Sequence, residues 1–157
     1  MSREDVVSII HGSGGLETFE VITRVIAQRI PVRLWRTMNG VGLDALDDGS
    51  YVRVGGSYIV FSSDTFTVNP AFFPGGNIGH LAACGVINDL VVMGAKPVAF
   101  MDNIVVEEGF SFKDLEEIIE SMAKVLREND VALIGGDFKV MPRGSLDKIV
   151  IGGFGIG

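Results

Sequence analysis

Five aspartates hold most of the chemical potential of this chain. Asp47 and Asp48 sit together in the string LDALDDGS, Asp64 closes an aromatic and β-branched run, Asp89 interrupts an apolar stretch, and Asp137 follows Gly135-Gly136. Hard oxygen ligands carried on separate elements suit Mg²⁺, which keeps several waters and bridges to substrate phosphates. Asp89 is the sharpest of the five. A carboxylate in a run that should be buried needs a partner, a hydrogen-bond network or a metal. Lys139, two residues past Asp137, shares its face if the strand continues. There it can neutralise a phosphate or simply pair with an acid. Each acid alone reads equally as a turn former or a helix cap; the set, with its glycine neighbours, points to a phosphate or metal site.

Glycine turns that open helices can hold an anion on free N–H groups. Residues 12–15 and the pair Gly75-Gly76 are placed for this, although many such turns are only turns. No Walker A string is present, and Gly40-Val41-Gly42 does not continue into a dinucleotide fingerprint. His80, Cys84 and Asn88 recur on one helical face, as polar packing or as a site lining. Cys84 on a buried helix is more often an inert core thiol than a nucleophile.

The elements that must position these groups follow from periodicity. Residues 6–10 can dock as an edge strand, and 16–30 carry an apolar stripe at intervals of three and four that Pro31 ends. A loop fills 33–50. Strands at 51–54 and 58–62 meet at Gly55-Gly56, a hairpin signal. A helix over 77–93 is apolar nearly all round, with Ala82, Ala83 and Gly85 permitting close approach, so it is expected at the centre. A strand at 98–106 leads to Ser111, which caps an amphipathic helix whose apolar face comprises Phe112, Leu115, Ile118, Ile119, Met122, Val125 and Leu126. A buried strand at 131–134 runs into Asp137, and a glycine-rich strand at 148–156 ends the sequence. Mixed hairpin and crossover connections predict an α+β or α/β domain with a mixed sheet.

Composition narrows the function. With 157 residues the chain is long enough for one domain with a real core. Apolar residues make up 47% and mean hydropathy is +0.38, so part of that surface is expected to serve an interface. The net charge of −7 argues against nucleic acid or an anionic membrane as the partner. A single cysteine excludes an internal disulfide and fits a reducing, cytoplasmic setting. No basic and apolar leader opens the sequence, and no run reaches the ~18 apolar residues of a membrane span.

HGSGG near the start, DTFTVNPAFFPGGNIGHLA, GVINDLVVMGAKP, VEEGF, GGDFKVMPRG and the terminal GIG together closely resemble the HypE family of hydrogenase-maturation carbamoyl dehydratases. That family lies within the aminoimidazole ribonucleotide synthetase, or PurM-like, superfamily. The resemblance runs through essentially the whole chain and implies an α+β, PurM-like N-terminal domain: a mixed β-sheet packed with helices that dimerises through its sheet. It implies a single ATP-binding domain over 1–157, with the C-terminal domain and its substrate cysteine absent from this chain. It implies ATP and Mg²⁺ as cofactors, a homodimer, and partners among hydrogenase-maturation proteins including a carbamoyltransferase. Carried over by motif, Asp47, Asp48, Asp64, Asp89 and Asp137 match metal ligands. Asp64, Asn88, Asp89, Asp137, Gly75 and Gly76 match nucleotide-binding positions, and Lys139 matches the catalytic lysine. Three departures stand out: Phe138 replaces a threonine, Asn77 replaces an acid, and the loop around Asp47 and Asp48 follows the wider superfamily. They leave open a paralogue that phosphorylates another substrate. A reading from a different class is a non-catalytic dimerising module that recruits maturation partners; titration with ATP, with and without Mg²⁺, separates it from the enzyme.

Overall fold

The computed structural model describes residues 6–37 and 39–157. The chain divides into two compact units, residues 1–46 and 47–157. In the first, 6–10 do not form the expected edge strand; Ile9–Gly12 is a 3₁₀ turn instead. Helix α1 (Leu16–Val21) runs on through a π stretch, Ile22–Ile26, and a 3₁₀ turn, Ala27–Arg29, before Pro31. Its apolar stripe stays largely exposed, Ala27 being the buried residue of these helical segments. Two residues, β1 (Gly40–Val41), interrupt the expected loop.

The second unit holds β2 (Ser50–Val54), β3 (Ser57–Phe66), β4 (Phe72–Phe73), β5 (Gly76–Asn77), α2 (Ile78–Val92), β6 (Ala99–Glu107), α3 (Phe112–Glu128), β7 (Ala132–Met141) and β8 (Ile149–Ile156). Its long strands pair in the order β2-β3-β8-β6-β7. β6 and β7 are parallel, joined through α3, and the other pairs are antiparallel. The sheet is therefore mixed, as the connections predicted. Gly55, at φ +62°, makes the β2–β3 turn.

Both helices cover one face. Ala83, Val86 and Ile87 of α2 pack with Phe100 of β6 and with Met122, Val125 and Leu126 of α3. Ile78 and Ala82 pack with Ile104, Val106, Ile118, Ile149 and Ile151. Gly79, Gly85 and several β-branched residues make α2 a poor helix by propensity, at about 1 kcal/mol per glycine. Burial of Ile78, Val86, Ile87 and Leu90, at about 1.5–3 kcal/mol each, outweighs that and puts α2 at the centre. The glycine-rich strand has the same cause. A Cβ on Gly153 or Gly155 of β8 would press into Val86 or Leu90, so those glycines set how closely α2 approaches.

Two expectations need correction. Phe112 is not on the apolar face of α3, being 81% exposed at the first helical position, before the stripe of Ile118, Met122, Val125 and Leu126 begins. Strand β7 is not buried. Only Val131, just before it, is in the core, because β7 lies at the sheet edge and leaves Leu133, Ile134, Phe138 and Val140 about half exposed.

Asn77 is a structural residue. Its Oδ1 accepts from the N–H groups of Gly79 and His80, capping α2, while its Nδ2 donates to Ser121 Oγ on α3 at 2.8 Å. An acid here could cap but could not donate. Asn77→Ala should cost about 2 kcal/mol, read as a lower midpoint in a thermal melt, with Asn77→Asp losing less. An Ala variant as stable as the parent would show that the cap contributes nothing.

Candidate functional site

Strand β3 alternates, so Ser62 and Asp64 point to the helix-covered face with Val60 and Phe66. α2 passes over the same face and delivers Asp89. Ser62, buried, donates its hydroxyl to Asp89 Oδ2 at 2.8 Å. That is the partner the inward acid requires. Asp64 lies against Asp89: partial burial first, then the hydrogen bond and charge of Asp89, and finally the charge of Asp48, push the Asp64 carboxyl up to about 6. The site thus opens from a pair, Asp64 with Asp89, and has Asp48 within electrostatic reach. Asp47 accepts from the N–H of Asp48 at 3.1 Å, which shapes the loop. Asn88 is exposed one residue before Asp89.

Asp137 and Lys139 stand elsewhere. In the sheet Asp64 lines up with Gly153, Asp102 and Gly136, whereas Asp137 lines up with Asn103, Gly152 and Thr65. Asp137 and Lys139 therefore face away from the helices, opposite Asp64, and three strand spacings of about 4.8 Å separate the two groups. Lys139 Nζ donates to Asp137 Oδ2 at 2.6 Å, and both are exposed. This bond, then one from the Phe138 N–H, holds the Asp137 carboxyl below its usual range. Phe138 points to the other face, so its bulk does not crowd Asp137.

Gly75 and Gly76 form the turn before α2, with Gly75 at φ +96°. Two amides such a turn would offer an anion, those of Gly79 and His80, are taken by Asn77. At the other glycine turn, Gly14 donates to Thr18 Oγ1. Cys84 Sγ lies 3.5 Å from His80 Nε2, and burial raises the thiol's pKa, the opposite of activation.

Sequence reasoning passed over two residues. Ser62 was detectable as a polar residue two places before Asp64, hence on its face. Asp102, a lone acid in an apolar strand, is half-buried, and its carboxyl is raised by that burial. Its carboxylate occupies the space a Cβ on Gly136 would need, which explains the second glycine of the pair.

Among the described residues no three His, Cys, Asp or Glu side chains converge as a ready-made metal cage. Mg²⁺ does not require one: it is commonly held by one or two carboxylates, with waters and phosphate oxygens completing six positions. Two carboxylates forced together so that one resists ionisation fit that ion.

The sequence pattern of the AIR synthase related protein N-terminal domain matches residues 46–157, which takes in the whole of the second unit. The chain belongs to this family. Within it, the chain is a HypE-like N-terminal domain. It is 42% identical over 151 residues to a hydrogenase expression/formation protein of Methanocaldococcus jannaschii, covering 96% of this chain and 44% of that protein. It is 40% identical over 155 residues to the carbamoyl dehydratase HypE of Bradyrhizobium diazoefficiens, covering 99% and 42%. The chain thus spans less than half the length of these relatives. Among solved structures, HypE in a HypE–HypF complex superposes with a TM-score of 0.74 at 39% identity, over 87% of this chain and 41% of that one. HypE in complex with ATP gives 0.63 at 36%, over 97% and 43%. The fold extends to thiamine monophosphate kinase from Aquifex aeolicus, 13% identical with a TM-score of 0.57 over 90% and 42%. The α+β fold with a mixed sheet is the one the resemblance implied. No helix among the described residues is long and apolar enough to cross a membrane.

Proposed function

We propose that this chain is the ATP-binding half of a HypE-like enzyme that uses Mg-ATP to dehydrate a protein thiocarbamate to a thiocyanate, the source of hydrogenase cyanide ligands. The observation that carries this is the Asp64–Asp89 pair, braced by Ser62, in a domain about 40% identical to carbamoyl dehydratases. Asp64 and Asp89 would hold the cation, and Asp48 would add negative charge beside it. Bound there, Mg²⁺ would offset phosphate charge at the group being transferred. The carbamoyl oxygen takes the γ-phosphoryl group and leaves as phosphate, so ATP and R–S–CO–NH₂ give ADP, phosphate and R–S–C≡N. Ser62 fixes the rotamer of Asp89, so the carboxylate is oriented before the ligand arrives.

The face of the sheet turned away from the helices supports a homodimer. Phe61 and Phe154 stack there with ring centroids 5.9 Å apart, beside Met101, Val105, Val150 and Ile156, and no element of the second unit packs on them. A second copy joined sheet to sheet would cover that surface. Its partners in the complete protein would be other maturation proteins, among them a carbamoyltransferase such as the HypF of the solved HypE complex.

Isothermal titration with ATP tests this reading. Heat of binding that appears only with Mg²⁺ is expected; no binding under either condition would leave the non-catalytic module. Lys139 makes a further prediction. In a full-length protein, Lys139→Ala should change ATP affinity only severalfold, because Lys139 faces away from the acid pair that would hold the cation. A turnover rate lowered about 100-fold would require a second copy to bring the Lys139 ammonium to the transferring group. Equal losses in both would mark it as a binding residue.

A further inference from the structure

Away from the acid pair, three segments enclose a cavity of about 470 Å³: the end of β6 with the following turn (Glu107, Glu108, Gly109, Phe110), the start of α3 (Ser111, Asp114) and the β7–β8 turn (Arg143, Lys148). That volume is in the range of small-molecule sites. The backbone holds the walls together. Glu107 N–H donates to the Lys148 carbonyl at 2.9 Å, Glu108 N–H to the Met141 carbonyl at 2.8 Å, and Gly144 N–H to Glu107 Oε1 at 2.6 Å. Arg143 lies against Gly109, where any Cβ would fall 2.9 Å from its Nη2.

The charges on these walls are opposite and do not meet. Two cations, Arg143 and Lys148, come from the β7–β8 turn; two carboxylates, Glu108 and Asp114, come from the turn after β6 and from α3. None of the four side chains forms an ion pair among the described residues. Glu107 is the exception among the acids, already engaged by Gly144. Unpaired surface charges are ordinary when each faces water alone. Here they line one cavity, held apart by a braced frame. An anion alone would meet the carboxylates, and a cation alone the arginine and lysine.

We propose that this cavity binds a zwitterion of dipeptide size, with its carboxylate at Arg143 and Lys148 and its ammonium at Glu108 and Asp114. An extended chain spans about 3.3–3.6 Å per residue. Two residues therefore separate the terminal charges by more than the ion-pair distance that the walls themselves do not reach. Arg143 offers a planar fork suited to a carboxylate, and Phe110 lends an apolar surface to the stem.

The test is an amide-resolved NMR titration of the ¹⁵N-labelled chain with glycylglycine, alongside N-acetylglycine, which carries only the carboxylate, glycinamide, which carries only the ammonium, and inorganic phosphate. Glycylglycine should shift amides at 107–114 and 143–148, at least tenfold more tightly than any single-charge probe. Arg143→Gln and Glu108→Gln, each checked for unchanged amide dispersion elsewhere, should each weaken it at least tenfold. No shifts with glycylglycine, phosphate or N-acetylglycine binding as tightly, or full binding in both variants would overturn the proposal.

Discussion

Asp64→Asn should reduce Mg-dependent ATP affinity by 100-fold or more and should make the ligand-free chain no less stable. The two effects have one cause. Burial and the neighbouring Asp89 and Asp48 make a second negative charge unwelcome at Asp64, and its carboxyl titrates at about 6. Folded, the group holds its proton more tightly than the ordinary value of 3.8. Between about pH 4 and 6 the folded chain therefore binds more protons than the unfolded one, so this group's contribution to stability falls as pH rises through that window. Asn removes the loss along with the charge, and melting midpoints of parent and variant should diverge toward neutral pH in the variant's favour. Binding runs the other way. A cation between Asp64 and Asp89 needs both ionised, so Mg-ATP affinity should rise from pH 5 to pH 7 with release of a proton. Asp89→Asn should repeat the loss of affinity while keeping the Ser62 bond, because the amide oxygen still accepts. Calorimetry in two buffers of different ionisation enthalpy would measure both affinity and proton release. Unchanged affinity in both variants would remove the acids from the metal site.

The second large effect is structural. Gly79→Ala should cost about 3 kcal/mol and lower the melting midpoint by roughly 10 °C. A Cβ at Gly79 would collide with the backbone carbonyl of Ile118, so α2 and α3 would have to separate where Ile78 and Ile118 are fully buried. Backbone cannot rotate away as a side chain can. Gly56→Ala is the matched control, with nothing within 4 Å of its Cβ, and should stay within about 0.5 kcal/mol. Equal melts for the two variants would mean that the helices are not locked together at Gly79.

Much of this was legible in the residues because it is local. Apolar runs, Pro31, the Gly55-Gly56 turn and Ser111 located the helices and strands to within a few positions; Ser111 does cap α3, its hydroxyl accepting from the Asp114 N–H. Which surfaces are covered was less legible. The run Val131–Leu133–Ile134 reads as core, yet a sheet edge is a property of strand order, and nothing local in β7 announces that its far side is unpaired. The site split the same way. Asp89 demanded a partner from its own surroundings, but that the partner would be Ser62, 27 residues earlier, required knowing that α2 crosses β3. Asp137 belonged with the other acids by motif, and strand register set it apart.

That register turns on one residue. Leu133 pairs with Phe100 and Gly135 with Met101, so Ile134 has no partner and bulges from β7. Leu133 and Asp137 are four apart and in a regular strand would share a face; here they look to opposite sides. Ile134 acts as a parity bit for the strand, letting an apolar start toward the helices precede a charged pair turned away from them. Any single deletion between Leu133 and Asp137 would clear that bit: the strand returns to regular alternation, Leu133 stays opposite Phe100, and Asp137 and Lys139 keep the face turned away from the helices.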